Sequence, residues 1–205
     1  MRKTLIAGLA ATFGLAALAP VTASAEGSQP TLADILLSDS ADDGADGFDH
    51  RWHDYDIVTQ AVLLFPDLVD AASNPDAELT AFLPTDFAFR RLVKEITGQR
   101  LETEAEVFAA VASLGADTVK NVLLYHIVPA SISFRTALGA DGAELATLLG
   151  GASITVDVKG HRKVQIEDLD TDDRDAFVVM PNIGGEAANG YAHGIDRVLR
   201  PIDLP

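Results

Sequence analysis

The residues with chemistry to offer fall into four groups. His50 and His53 stand three apart beside Asp49, Asp54 and Asp56. Two imidazoles sharing a helical face, with a carboxylate, could bind a transition metal. No third histidine is near and the chain has no cysteine, so this pair lacks a full ligand set. Trp52 and Tyr55 offer the simpler reading, in which aromatic burial folds the stretch back onto the domain. Asp168, Asp170 and Asp172 alternate and are followed by Asp173 and Asp175. Alternate carboxylates can converge on Ca2+ when a turn wraps them. The twelve-residue calcium loop does not fit: its sixth position is Asp173 where glycine is needed, and its twelfth is Val179 where glutamate is needed. The expected state of these aspartates is a solvated turn between strands.

His126 follows Tyr125 in an apolar setting. It could act as a base or ligand, but a buried imidazole bonded to backbone, tying helix to sheet, is the favoured reading. His193 and Asp196 are three apart in a strand pattern, which puts them on opposite faces and precludes a dyad without a bulge. A nucleophilic enzyme needs a Ser or Thr beside a base. No Gly-x-Ser-x-Gly occurs, and Ser153 opens an alternating strand pattern. Phosphate-loop and dinucleotide fingerprints are also missing, and Gly150-Gly151 and Gly184-Gly185 read as turns. The expectation is a non-enzymatic protein without catalytic residues or cofactor.

The elements that position these groups centre on residues 80–92, TAFLPTDFAFRRL. Ala81, Phe82 and Leu83 suit a short buried strand, and Pro84 stops the ladder because it has no N–H. Thr85 and Asp86 can cap a helix carrying Phe87, Phe89 and Leu92. Upstream, 31–37 reads as a helix capped by Thr31, 38–53 as a solvated acidic loop, and 57–65 as a helix capped by Asp56 and ended by Pro66. Residues 68–72 make another short helix, and 74–76 a turn. Downstream, Thr103 and Glu106 form a capping box for 103–114, and Asp117 caps 118–125. Residues 127–129 are extended, 132–138 ambiguous and 145–149 a turn. Strands follow at 153–158, 164–169, 176–180 and 191–199, with a hairpin turn at Gly160. Helices come early and strands late, which predicts an α+β fold in one domain.

Three segments carry a family resemblance: 80–92, NVLLYHIVP at 121–129 and NGYAHGIDRVLRP at 189–201. In this order and spacing the chain resembles the fasciclin domain family over 31–202. The resemblance implies a twisted β wedge with helices packed across it, and structural roles for Pro84, Thr85, Asp86, Phe89, Tyr125, His126, Asn189, Gly190, His193 and Asp196. Ala192 and Gly194 depart from the family pattern, which has bulky apolar residues there, and this predicts a weaker closing strand. The adhesion residues of animal members do not map onto the chain, and Arg-Gly-Asp is absent. The function implied is adhesion or protein interaction at a cell surface or matrix. A carrier of a small apolar ligand is the alternative, and a metal-dependent protein using His50 and His53 is a further one.

Residues 1–25 read as a signal peptide. Arg2 and Lys3 precede an apolar run over 5–18, and Ala23-Ser24-Ala25 fits a cleavage site. That run is shorter than the roughly 20 residues that span a bilayer. A short segment, 26–30, then leads to the domain, and 203–205 form a tail. The chain is expected to be secreted, extracellular or periplasmic, without stable membrane insertion. Its net charge is −16, and loss of Arg2 and Lys3 makes it two charges more acidic. Such a surface disfavours nucleic acid and suits cations or basic partners.

Overall fold

The computed structural model describes residues 29–39, 47–160 and 162–202. The signal peptide, most of 26–30 and the tail at 203–205 lie outside the described residues, as do 40–46 of the acidic loop. Helix α1 (Leu32–Asp39) begins at Thr31, whose hydroxyl accepts the Asp34 N–H at 3.3 Å while the Asp34 carboxylate accepts the Thr31 N–H at 2.8 Å. Leu32, Ile35 and Leu36 are its buried face. Helices α2 (Asp56–Leu63) and α3 (Pro66–Ser73) follow, and Pro66 opens α3 at a position where its missing N–H costs nothing. Asp56 does not cap α2, contrary to expectation. Its Oδ2 accepts the Asp49 N–H at 3.0 Å, and the Ile57 N–H goes to Asp86 Oδ1 instead, also at 3.0 Å.

Strand β1 (Leu79–Pro84) leads through Thr85 into α4 (Asp86–Thr97). The Thr85 hydroxyl accepts the Ala88 N–H at 3.3 Å, and Gly98 closes the helix with φ 70°. Helix α5 (Glu104–Ala112) has the expected Thr103–Glu106 capping box. Helix α6 (Ala116–Tyr125) starts from Gly115, so Asp117 is not its cap but lies in the first turn. There its charge still favours the positive helix end. Strand β2 (Ile127–Val128) falls in the expected extended segment, and helix α7 (Phe134–Ala137), capped by Ser133, resolves the ambiguous stretch 132–138. Strand β3 (Glu144–Ala146) takes the start of the expected turn because Leu145 pairs with Ile154. Strands β4 (Ser153–Lys159), β5 (Lys163–Glu167) and β6 (Ala176–Met180) form a meander, and β7 (Gly190–Ile195) ends four residues before the predicted 199. Beyond Ile195 the chain leaves the ladder, and the Leu199 N–H bonds a side chain, His126.

The seven strands form one sheet in the order β2-β1-β7-β6-β5-β4-β3. Every pairing is antiparallel except β1 with β7. Because β1 has neighbours on both edges and packing on both faces, nearly all its residues are buried. Leu79 and Leu83 face a core shared with the helices, which includes Ile57, Phe89, Val107 and Leu123; Phe82 faces a second core with Tyr125, Ile154, Ile166 and Leu199. No single helix among the described residues is long and apolar enough to cross a membrane.

The described end of the acidic loop is only partly solvated, a second correction: His50, Arg51 and His53 are exposed, but the rest packs against the domain. Phe48 is 6% exposed and packs 5.8 Å from the Phe108 ring. The carbonyls of Trp52 and Asp54 accept the N–H groups of Phe87 and Asp86 at 2.9 and 3.1 Å. The loop therefore satisfies the free N–H groups at the start of α4. Trp52 also receives the Arg90 guanidinium 4.3 Å from its ring centre.

Candidate functional site

Asp56, Asp86 and Glu104 are the first residues of α2, α4 and α5. An acid at this position suits the positive end of a helix. The fold brings all three starts together. Asp86 and Glu104 are fully buried, and Asp56 is nearly so. Backbone donors from other segments hold them: Ile57 N–H on Asp86 Oδ1, His50 N–H on Glu104 Oε2 at 2.8 Å, and Asp49 N–H on Asp56 Oδ2. Asp86 and Glu104 thus fix segments 29 and 54 residues away, and Asp56 fixes one seven residues away.

Asp54 joins this corner as its half-buried member. Carboxylate oxygens of Asp54, Asp86 and Glu104 lie within 4.8 Å of one another, and so do those of Asp49, Asp54 and Asp56. Asp54 Oδ1 and Asp86 Oδ2 are shut off from water, and no N–H or hydroxyl donor reaches them. The two carboxyls are close enough to share a proton. Burial pushes both well above the usual carboxylate range; Asp49 adds to the rise at Asp54, where the bond to Asp86 opposes it, and Asp54 and Asp56 add to the rise at Asp86. Arg51 pairs with Asp49 at 3.2 Å from the exposed side.

The histidine pair is not at the centre of this corner. His50 and His53 are exposed; His50 contributes its backbone, at φ 70°, and the His53 ring sits 6.3 Å from Phe87. The aspartate turn is built differently. Asp168 Oδ2 accepts the Arg200 N–H at 2.8 Å, Asp168 Oδ1 accepts the Asp170 N–H at 3.0 Å, and Asp170 Oδ1 accepts the Asp172 N–H. Asp170 and Asp173 meet the Arg200 guanidinium at 3.1 and 2.7 Å, so a side-chain cation sits against this turn. Burial raises the Asp168 carboxyl to about 6.

The remaining motif residues pin elements together. His126 accepts the Leu199 N–H at Nε2, so Nδ1 carries the proton and donates to the Val122 carbonyl at 2.7 Å. His193 has the opposite tautomer: Nδ1 accepts the Asn182 N–H at 3.1 Å and Nε2 donates to the Ile132 carbonyl at 2.8 Å. Burial lowers both imidazoles, His126 to about 4. Asp196 does not meet His193; it accepts the Phe177 N–H at 2.7 Å. Tyr125 donates to the Ser153 carbonyl at 2.8 Å, and burial raises its phenol. Asn189 accepts the Leu32 N–H and donates to the Ala72 carbonyl, at 2.9 and 2.8 Å. Gly190, at φ 134°, lies so close to β1 that a Cβ would fall 1.7 Å from the Leu79 carbonyl oxygen. Phe89 and Pro84 are buried at the hinge. Gly194 does not leave a loose strand, because the Tyr55 phenol fills its space, 2.1 Å from where a Cβ would stand.

Two cavities bear on ligand binding. The crevice between helices and sheet, beside Val58, Leu68, Phe82 and His126, holds about 40 Å3, about one water's worth. A cleft of about 510 Å3 opens instead between α1 and Ile183-Gly184, lined by Ile35, Leu36, Tyr55 and Leu83.

The fasciclin domain model matches residues 55–201, and the chain belongs to that family. Among solved structures it is similar to a FAS1 domain pair from the insect cell adhesion molecule Fasciclin I, with 17% identity and a TM-score of 0.59. The likeness covers 84% of this chain and 51% of the solved one, so the chain spans about half that length. At this identity the likeness is one of fold. No curated protein matches the chain.

Proposed function

We propose that the protein is an exported, non-enzymatic module that adheres to a macromolecule at a cell surface or in the surrounding matrix. The observation that carries this reading is membership of the fasciclin domain family over nearly all of the described fold. Its fold neighbour is a cell adhesion molecule. The two buried histidines support the non-enzymatic part: both ring nitrogens of each are engaged with backbone, so neither is poised as a general base. An acidic surface at net charge −16 fits a basic partner. The open cleft beside α1 favours a second reading, carriage of a small apolar ligand.

Purified chain, titrated over intact cells and extracellular material of the producing organism, should bind saturably and more weakly at high salt. Native mass spectrometry of the secreted protein discriminates the readings. A bare chain that binds the material supports adhesion. A retained apolar ligand with no surface binding supports carriage and overturns it.

A further inference from the structure

We propose that Asp54, Asp86 and Glu104 form a site for one hard divalent cation of the Ca2+ class, seated where the N-termini of α2, α4 and α5 converge. The ligand set is all carboxylate oxygen, which selects hard cations over the transition metals that histidine would favour. The oxygens lie within 4.8 Å of one another, which matches ligands arranged around an ion at Ca2+–O distances of about 2.3–2.6 Å.

The independent sign is the orphaned oxygen. Asp86 is 0% exposed; its Oδ1 is held by Ile57, while no N–H or hydroxyl reaches its buried Oδ2, and the side chain it meets is another carboxyl, that of Asp54. Buried acceptors are ordinarily satisfied, and leaving one bare is costly. Asp54 Oδ1 faces the same situation from the half-buried side. A cation satisfies both at once and draws on Glu104, whose own bond to His50 already orients it. Asp54 gives the ion a route in and room for water ligands.

Charge decides in favour of a cation despite the helix ends. Three N-termini oppose it with about half a charge each, whereas the three carboxylates, ionised once the ion displaces the proton between Asp54 and Asp86, supply three full negative charges. The second acidic turn lacks this need because Arg200 lies against it. Here Arg51 reaches Asp49, with 79% of its side chain exposed.

Trp52 is the single tryptophan and stands two residues from Asp54, which makes it an antenna for a bound lanthanide. Full-length chain stripped with chelator is titrated with Ca2+ by calorimetry and with Tb3+ under tryptophan excitation. The expected result is one saturable Ca2+ per chain, a higher Tm with Ca2+, and sensitised Tb3+ emission displaced by Ca2+. Asp54→Asn, isosteric and half exposed, should weaken Ca2+ binding at least tenfold, while Asp170→Asn leaves it unchanged. No saturable binding by the unaltered chain up to about 10 mM Ca2+, beyond the weakest extracellular calcium modules, overturns the site and leaves a shared proton between Asp54 and Asp86. Binding abolished by Asp170→Asn and not by Asp54→Asn overturns it in favour of the other turn.

Discussion

Leu199 donates its backbone N–H to Nε2 of His126 at 2.9 Å, across 73 residues of sequence. The bond anchors the segment after β7 to the end of α6, and it requires the neutral ring. His126→Ala leaves the Leu199 N–H buried without an acceptor and opens a void. A loss of about 2–4 kcal/mol is expected from urea midpoints, with far-UV circular dichroism unchanged. A variant as stable as the parent would mean that the segment finds another partner.

The same ring gives a pH dependence of definite sign. Its value in the fold is about 4 against 6.5 in the unfolded chain, because burial disfavours the charged form. Between those values the unfolded chain binds the extra proton, so stability is full above pH 6.5 and falls as pH drops through 4. The ring's share is at most about 3 kcal/mol. His193, lowered by burial too, acts in the same direction. Urea midpoints from pH 7 to pH 4 should fall more steeply for the parent than for His126→Gln. Parallel profiles would show that the ring does not titrate on unfolding.

Gly194→Ala tests whether Tyr55 occupies the room that the glycine leaves. The added carbon would stand 2.1 Å from the Tyr55 hydroxyl and 2.9 Å from Met180 Cβ. A destabilisation of about 1–3 kcal/mol is expected. Adding Tyr55→Phe to Gly194→Ala should recover part of it, because the nearest clash is removed. Strictly additive losses would place the strain elsewhere.

What could be read from the sequence divides by the reach of each interaction. Thr85 caps α4 through Ala88, three residues on, and Thr103 caps α5 through Glu106. Such local chemistry, with Pro84 as a stop, located the hinge and the helices around it. The corner of carboxylates was not legible in the same way. Asp86 serves Ile57 at a separation of 29 residues, and Glu104 serves His50 at 54. Nothing local marks Glu104 as buried, since an acid after a capping threonine is ordinary on an exposed helix. His50 and His53 pointed to the right neighbourhood, but their rings are not what converges there. Gly194 looked like a weak point because its compensation, Tyr55, comes from another part of the chain. Strand β3, three residues long, carries too little periodicity to distinguish it from a turn.

Arg200 carries the remaining prediction. Its side chain, 10% exposed, meets Asp170, Asp173 and Glu95 together, and its N–H meets Asp168. Asp170 is more enclosed still, so the pair is a desolvated ion pair and not a surface contact. Arg200→Met keeps the bulk of the side chain but strands the Asp170 carboxylate in a poorly hydrated place, at an expected cost of about 3–5 kcal/mol. Asp170→Asn should cost less, because Arg200 retains Glu95 and Asp173. The double variant should be more stable than the sum of the two losses implies, since no stranded carboxylate remains at position 170. A double-mutant cycle by chemical denaturation reads this as a coupling of roughly 1–3 kcal/mol. Additive losses would mean that water reaches Asp170 and hydrates its charge once the arginine is gone.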